Sequence, residues 1–367
     1  MKRAVIVLPT YNESQNIEEV ITRVVAAVKN LQSWSVSILV VDSKSPDHTA
    51  DVVRTIQKKN KFLYLLETEK EGLGKAYLRG FEYAINELQA DVVFEMDADH
   101  QHDPKEVPQY LLAIEKGADM VVGTRYSKGG SIPAAWGIHR KLMSIIGNWT
   151  IRLGFMKLQY SDWTGGYRAI RSWVIKQVVP EMQGYTGYVF QVAFMDKALK
   201  KGARIAEHPI HFGDRTLGES KINAAQYTIQ TLLYVFTQSS FVRFVIVGTL
   251  GAALDFGIAF ILKNYAKVEV RIANGLSAET AVIFNYLVNN FWSFAHSRIQ
   301  GGAWTHAWNF IKFNLVSLGN IGIQIVGISA GIYFFGEQHW LIYKAVTIIC
   351  VVIPYSYILY NKIIWKK

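Results

Sequence analysis

The chain has 367 residues, half of them hydrophobic, with one cysteine and a formal net charge of +10 at pH 7. That length suits two domains, and the apolar content excludes a disordered or collagen-like chain. A single cysteine excludes a disulfide framework and a cysteine-built zinc site, and fits a reducing compartment.

The chain opens with Met1-Lys2-Arg3 and six apolar residues. This run is too short for a signal-peptide core and reads as a buried strand, so the front part is expected to stay in the cytoplasm. Further strand-length apolar runs follow at 36–41, 62–66, 91–96 and 118–123, with helical patterns over 17–29, 49–59, 73–88 and 104–116. Continuous apolar strands alternating with helices predict an α/β domain with a mostly parallel sheet. Ligands of such sheets bind at the carboxyl ends of the strands. Four of these ends are polar: Pro9-Thr10-Tyr11-Asn12-Glu13, Asp42-Ser43-Lys44-Ser45, Asp97-Ala98-Asp99-His100-Gln101, and Gly123-Thr124-Arg125. Turns are often polar, but carboxylates and an arginine converging from four strands exceed that expectation.

Asp97 and Asp99 lie two residues apart, so in an extended segment both carboxylates point the same way, with Gln101 next in the series. Two carboxylates and a neutral oxygen suit Mg²⁺ or Mn²⁺ bridging to a diphosphate. Alone, an Asp-x-Asp triplet is commonly a solvated acid pair. Its place at a strand end carries the metal reading. The Gly72-Leu73-Gly74 segment reads equally well as a turn before a helix.

The segments PTYNE, VDxxSPDxT, EGLGKAYLRGF, MDADHQH, GTRYSKGG, DWTGGYRA, GYVFQ and PIHFGDRTLGESK occur in this order over about residues 3–222. Together they resemble family 2 glycosyltransferases with a GT-A fold (a Rossmann-like, mostly parallel α/β sheet), of the dolichyl-phosphate mannose synthase type. The resemblance implies a transferase that moves a sugar from a nucleotide sugar to dolichyl or polyprenyl phosphate. Mannose from GDP-mannose is the leading donor, with UDP-glucose or another nucleotide sugar as the alternative. By the same resemblance, Pro9, Tyr11, Glu13 and Asp42 would line the nucleotide pocket. Asp97, Asp99 and Gln101 would hold the metal and, through it, the diphosphate, with Ala98 beside them in the cofactor-binding turn. Arg125, Arg140, Arg215, Ser220 and Lys221 would surround the phosphates, and Asp162 would sit near the acceptor. Two positions depart from the pattern: Ser43 where the family usually has a second Asp, and Ala193 where it often has Glu. The first bears on the nucleotide and the second on the sugar.

The chemistry suits these residue types. A phosphate monoester is already anionic at pH 7 and needs little general-base help, but its approach to a diphosphate must be neutralised by a metal and by Arg or Lys. Direct attack inverts the anomeric centre, so an α-linked donor gives a β-linked lipid phosphate.

Two stretches, 136–156 and 222–240, mix apolar and basic residues and read as interfacial helices, with packing on the sheet as the alternative. Four long apolar runs follow, at 244–262, 276–294, 313–335 and 345–360 with its flanks. They predict an all-α domain of four transmembrane helices in two hairpins. An internal repeat supports the hairpins: Arg243-Phe244 returns as Lys312-Phe313, and Asn290 with Trp292 as Asn361 with Trp365. This pattern resembles the GtrA-like membrane domain that accompanies some polyprenyl-phosphate glycosyltransferases.

The expected division is 1–221 for the transferase, 222–240 for an interfacial linker and 241–367 for the membrane domain. The last segment holds only 10 Lys and Arg and 4 Asp and Glu. An even number of spans places both termini in the cytoplasm with the catalytic domain, although the positive-inside bias is modest. Asp255 and Glu279 fall within the spans. The basic excess fits a lipid bilayer as partner, and no nucleic-acid signature competes with it. A processive polysaccharide synthase is the first alternative, but the Gln-x-x-Arg-Trp segment usual in those enzymes is absent. A non-catalytic lipid-linked sugar carrier or flippase is the second, and the intact Asp97–Asp99 element argues against it. Protein glycosylation and cell-envelope glycan synthesis are the processes such a product serves.

Overall fold

The computed structural model describes residues 1–185, 187, 189–213 and 224–366, without the side chains of residues 224 and 225. Arg215, Ser220 and Lys221 lie outside the described residues. The chain forms two compact units, Met1–Tyr234 and Val235–Lys367.

The first unit is a seven-stranded sheet in the order β3-β2-β1-β4-β6-β5-β7. Its strands are β1 (Lys2–Thr10), β2 (Trp34–Asp42), β3 (Leu63–Glu67), β4 (Val92–Glu95), β5 (Met120–Thr124), β6 (Arg168–Arg171) and β7 (Ile205–Pro209). Every pairing is parallel except those of β6, which runs antiparallel to both β4 and β5. The sheet is therefore mostly parallel, as the apolar runs imply. Ala4 to Leu8 of β1 and Leu39 to Val41 of β2 are buried on both faces, which explains their unbroken apolar character.

Helices α1 (Ile17–Val28), α2 (Thr49–Gln57), α3 (Leu73–Asn86), α4 (Val107–Glu115), α5 (Ile138–Phe155), α6 (Ser172–Val178) and α7 (Phe190–Lys200) connect the strands. Helix α3 crosses β1 closely at Gly80, where a Cβ would come within 2.5 Å of Val7 Cγ1. Two helices carry apolar residues on their exposed as well as their inward faces. In α5, Asn148, Ile151 and Phe155 face inward while Ile138, Leu142, Met143, Ile146, Trp149 and Leu153 are exposed. In α8 (Ala224–Gln238), Thr231 and Tyr234 are buried, Tyr234 donates to Asp196 Oδ2 at 2.8 Å, and Ile229, Leu232, Leu233 and Phe236 are exposed.

The second unit is helical. Three helices in the described residues are long and apolar enough to cross a membrane: Ser240–Asn264 (α9), Ala303–Phe335 (α11) and Glu337–Ile364. The last combines α12 (Trp340–Thr347), α13 (Ile353–Leu359) and two π-helical segments, Ile348–Val352 and Tyr360–Ile364. The second expected span is also a helix, α10 (Val270–Val288), but it is not among the three. Arg271, Asn274, Ser277, Glu279 and Thr280 dilute its apolar character. The expectation of four membrane-crossing helices is thus met by three on length and composition, and the helix starts six residues before the apolar run.

The internal repeat is structural. Adding 69 to positions in the first helix of a hairpin and 71 to those in the second maps one hairpin onto the other. Ring contacts obey the map. Phe241–Tyr357 at 5.1 Å returns as Phe310–Tyr286 at 5.2 Å, and Phe244–Tyr357 at 5.8 Å as Phe313–Tyr286 at 5.7 Å. Phe244–Phe294 at 6.3 Å returns as Phe313–Trp365 at 6.2 Å. The π-helical segments Asn289–Ser293 and Tyr360–Ile364 also correspond. Reciprocal contacts of this kind define a two-fold interface between the hairpins. The mapped pair Phe294 and Trp365 stacks on itself at 4.4 Å, on the local axis; Trp365 thus corresponds to Phe294 and not, as the sequence suggests, to Trp292, whose mapped position is Ile363.

Candidate active site

The carboxyl ends of β1 and β2 are locked together. Asp42 is buried and accepts from Thr10 Oγ1 at 3.0 Å, Ser45 Oγ at 2.6 Å and Ser45 N at 2.9 Å. Ser45 Oγ in turn accepts from Asn12 N at 3.0 Å. Asp42 therefore shapes the two turns that follow β1 and β2. Asp47 performs the same service beside it, accepting from Ser14 N and from the amide and hydroxyl of Thr49. Partial burial pushes its carboxyl up, and these donors outweigh that and hold it below the usual range. Glu13 accepts from Asn16 Nδ2 at 2.7 Å just ahead of α1. The face of Tyr11 carries the Lys70 ammonium, 3.7 Å from the ring centroid. Pro9 is half-buried at the edge of β1, and Ser43 N donates to Thr10 O.

Beyond β4 the chain turns sharply through Asp97-Ala98-Asp99, with His100 in the left-handed region at φ 67°. Asp97 Oδ1 accepts from the buried Tyr77 hydroxyl at 3.0 Å, and Asp97 N donates to His102 Nδ1 at 3.0 Å. That bond leaves His102 with its proton on Nε2 when neutral. His102 is buried against the Tyr167 ring at 4.8 Å, a supporting rather than a ligating position. Ala98 is buried below the turn. Asp99 Oδ1 accepts from Gln101 N, and Gln101 Nε2 donates to Gly213 O, both at 3.1 Å. The Asp97 side chain is 31% exposed, whereas Asp99 is only 5% exposed. Among the described residues no three His, Cys, Asp or Glu side chains gather as a metal cage. Two carboxylates with one amide oxygen fit a hard cation whose remaining positions belong to phosphate and water.

Under this turn lies a buried ion pair that the sequence reading missed. Glu95 and Arg168 face each other in the β4–β6 register, 3.9 Å apart and fully buried. Arg168 donates to the carbonyls of Gly165, Gln191 and Trp163 at 2.8–3.1 Å. Burial pushes the Glu95 carboxyl up to about 7, against the opposing pull of Arg168.

Beyond β5, Arg125 meets Asp162. Nε donates to Oδ2 at 2.8 Å and Nη2 to Oδ1 at 2.9 Å, and Nη2 also reaches Thr164 Oγ1 at 2.6 Å. Asp162 is fully buried and also accepts from the amides of Arg125, Thr164 and Gly165. Burial pushes its carboxyl up, but the Arg125 guanidinium and the amide donors hold it below the usual range. Asp162 is placed as the anchor of Arg125.

One residue gathers these parts. The Phe212 ring lies 5.6 Å from His102, 5.4 Å from the Arg125 guanidinium and 6.2 Å from Trp136. Arg140, exposed on the first turn of α5, sits 4.0 Å from the Trp136 ring. Phe212 thus links the Asp97 turn to both arginines. It falls within a quoted motif, but a phenylalanine among polar residues gave no chemical signal of its own. Ala193 is buried in α7.

Two family models match the chain. Residues 5–179 match "Glycosyl transferase family 2", and residues 243–365 match "GtrA/DPMS, transmembrane domain". The dolichol-phosphate mannosyltransferase of Pyrococcus furiosus is 30% identical over 353 residues, 94% of each chain. The undecaprenyl-phosphate mannosyltransferase of Micrococcus luteus is 36% identical over 222 residues, 60% of this chain and 88% of that one. Among solved structures, glucosyl-3-phosphoglycerate synthase from Mycobacterium tuberculosis matches with TM-score 0.47 and 18% identity, over 64% of this chain and 80% of that one.

Proposed function

The chain belongs to glycosyl transferase family 2, and from that premise we propose that it transfers mannose from GDP-mannose to a polyprenyl phosphate such as dolichyl phosphate. The product is a lipid-phosphate-linked monosaccharide formed with inversion. The observation that carries this reading is the similarity to a dolichol-phosphate mannosyltransferase along nearly the whole chain, membrane unit included.

The residues divide the work. The Thr10–Asp42–Ser45 lock fixes the turns that receive the nucleoside, and Tyr11 offers it a ring face. Asp97 and Asp99, with Gln101, would hold Mg²⁺ or Mn²⁺. When bound, the cation supplies charge neutralisation at the diphosphate and stabilises the leaving nucleotide. Tyr77 and His102 fix the orientation of Asp97. Arg125, held at fixed angle by Asp162, and Arg140 on α5 receive phosphate oxygens. Nε and Nη2 of Arg125 are engaged by Asp162 and Thr164, so it serves phosphate through Nη1 and its fixed charge. Arg215, Ser220 and Lys221 join them in our reading on the motif alone. The acceptor phosphate attacks the anomeric carbon directly, so no general base is assigned.

The chain is an integral membrane protein. We place the catalytic unit and both termini in the cytoplasm. The transferase occupies 1–221, an interfacial segment 222–240 and the membrane domain 241–367. The outward apolar faces of α5 and α8 support the interfacial placement, since interfacial helices bury such faces at the headgroup boundary.

The test is to incubate membranes containing the chain with labelled GDP-mannose, polyprenyl phosphate and Mg²⁺ or Mn²⁺. A labelled lipid-linked monosaccharide is expected. A polymer, or no transfer from any nucleotide sugar, overturns the reading. Ser43 makes the donor worth screening: transfer from UDP-glucose in place of GDP-mannose keeps the reaction and replaces the sugar.

A further inference from the structure

Glu207 lies on β7, outside every motif role assigned above, opposite Val122 of β5. Its Oε1 accepts from Ser161 N at 2.5 Å, Ser161 Oγ at 3.0 Å and Asp162 N at 3.3 Å. Ser161 Oγ is also 2.6 Å from Thr124 Oγ1, which accepts from the amides of Tyr126 and Ser127 at 3.2 Å each. A hydroxyl has one proton. Ser161 uses its proton on Glu207, so Thr124 donates to Ser161. The chain of bonds therefore has one direction, from the amides after Arg125, through Thr124 and Ser161, to the carboxylate of Glu207.

This directed chain brackets the Arg125–Asp162 pair. Thr124 immediately precedes Arg125 and Ser161 immediately precedes Asp162. One carboxylate oxygen thus fixes the backbone on both sides of the pair. The pair holds Arg125 by Nε and Nη2, and a bidentate clamp sets the angle of the whole guanidinium plane.

We propose that Glu207 is a positioning residue for transfer, acting through Ser161 and Thr124 to set the Arg125–Asp162 clamp. The proposal rests on the reading of Arg125 as a phosphate-binding group in a polyprenyl-phosphate transferase. Glu207 touches neither donor nor acceptor. Its effect appears in turnover, because misplacing a positioned group by about 1 Å costs up to about 10²-fold in rate.

The experiment uses the full chain in detergent micelles, with GDP-mannose, or whichever nucleotide sugar the wild type transfers, and a short polyprenyl phosphate. Glu207→Ala is expected to lower kcat by about 10- to 100-fold while donor Kd stays within about twofold. Glu207→Gln keeps an acceptor oxygen at Oε1 and should recover most of the loss, a rescue that general loosening of the fold would not produce. Ser161→Ala breaks the hydroxyl relay and leaves Glu207 in place, which provides a second route if Glu207→Ala fails to fold. Because both act through Arg125, the double variants with Arg125→Ala should be no slower than Arg125→Ala alone. Additive losses, or an unchanged kcat in folded Glu207→Ala and Ser161→Ala, overturn the proposal. Failure of the wild type to transfer to any polyprenyl phosphate instead overturns the functional reading on which it rests.

Discussion

Arg125 and Asp162, 37 residues apart in the chain, meet through two parallel charge-assisted hydrogen bonds in which Nε reaches Oδ2 and Nη2 reaches Oδ1. The acid is fully buried and the arginine nearly so. Removing one partner of such a pair leaves an uncompensated buried charge, which typically costs about 3–5 kcal/mol. Asp162→Asn should therefore lower stability by about that amount and reduce transfer, because Arg125 loses its fixed angle. Asp162 titrates below its ordinary 3.8 in the folded chain, so its contribution is fully present above that value and is lost as pH falls through the depressed one. Denaturant unfolding of wild type and Asp162→Asn should differ by a constant amount from pH 5 to 8, and the gap should narrow progressively as pH falls below about 4. A gap that persists undiminished in acid would contradict this assignment.

Glu95 shows the opposite linkage. Its carboxyl is raised from 4.5 to about 7 by burial, so between those values the folded chain binds a proton that the unfolded chain has released. Stability should fall as pH rises across that window, by at most about 3 kcal/mol, and level off above it. Glu95→Gln removes the ionisation and keeps the shape. The variant's pH–stability profile should be flatter than wild type from pH 5 to 7. The measurement is urea unfolding followed by tryptophan fluorescence, with chelator present so that no cation bound at Asp97 contributes.

Much of this arrangement was legible in the sequence, for reasons visible in particular residues. The parallel strands announce themselves because Ala4 to Leu8 and Leu39 to Val41 are buried on both faces. Strands β6 and β7 escape, because RAIR and IAEHP carry charges where a buried strand is expected to be apolar. Arg168 is tolerated inside only through three backbone carbonyls brought from Gly165, Gln191 and Trp163, a convergence that linear spacing does not reveal. The strand-end acids were visible as candidates, but their surroundings were not. Asp42 has its oxygens occupied by Thr10 and Ser45, and Asp162 is closed around Arg125. Glu207 and Phe212 were invisible for the same reason: each matters through what the fold packs against it. The repeat was legible from Arg243-Phe244 and Lys312-Phe313, yet its axis is marked by Phe294 against Trp365, which share no residue type.

Replacing Asp97 or Asp99 by Ala should abolish transfer, with donor binding in the presence of Mg²⁺ or Mn²⁺ weakened at least about tenfold. Without metal, both variants should bind donor about as weakly as the wild type does, since the carboxylates act on the diphosphate only through a cation. Calorimetric titration of nucleotide sugar with and without chelator separates these cases. Full wild-type activity in excess chelator would sink the metal assignment.

The Phe294–Trp365 stack predicts where the membrane unit is most sensitive. Trp365 is buried, lies within ring-contact distance of Tyr286, Phe313 and Tyr360, and donates Nε1–H to Asn290 Oδ1 at 2.9 Å. Trp365→Ala should cost about 3–5 kcal/mol, as truncation of a large buried aromatic does. Phe294→Ala, its mapped counterpart, should be comparable. The double variant should lose less than the sum, because the two rings are each other's partner. Thermal unfolding of the detergent-solubilised chain reads all three, and strictly additive losses would contradict a shared core.

The assigned transfer residues all precede residue 222, and the membrane unit presents few groups suited to moving a sugar. Asp255, the acid within α9, is occupied by the Ser277 hydroxyl at 2.6 Å, a helix-to-helix contact rather than one poised toward substrate. The membrane unit should therefore anchor the enzyme, and anchoring acts by confining enzyme and lipid acceptor to one surface, which raises their effective concentration. A chain ending at Ser240 keeps α5 and α8 with their outward apolar faces. It should retain metal-dependent donor binding and still glycosylate a short, water-soluble prenyl phosphate at a rate near that of the full chain. Its disadvantage should appear only with long acceptors in bilayers, where the full chain should gain in proportion to confinement. The deciding measurement is transfer to the short acceptor by a truncation that binds donor normally. If that protein transfers nothing, the membrane helices contribute to the acceptor site itself, and the anchoring role is wrong.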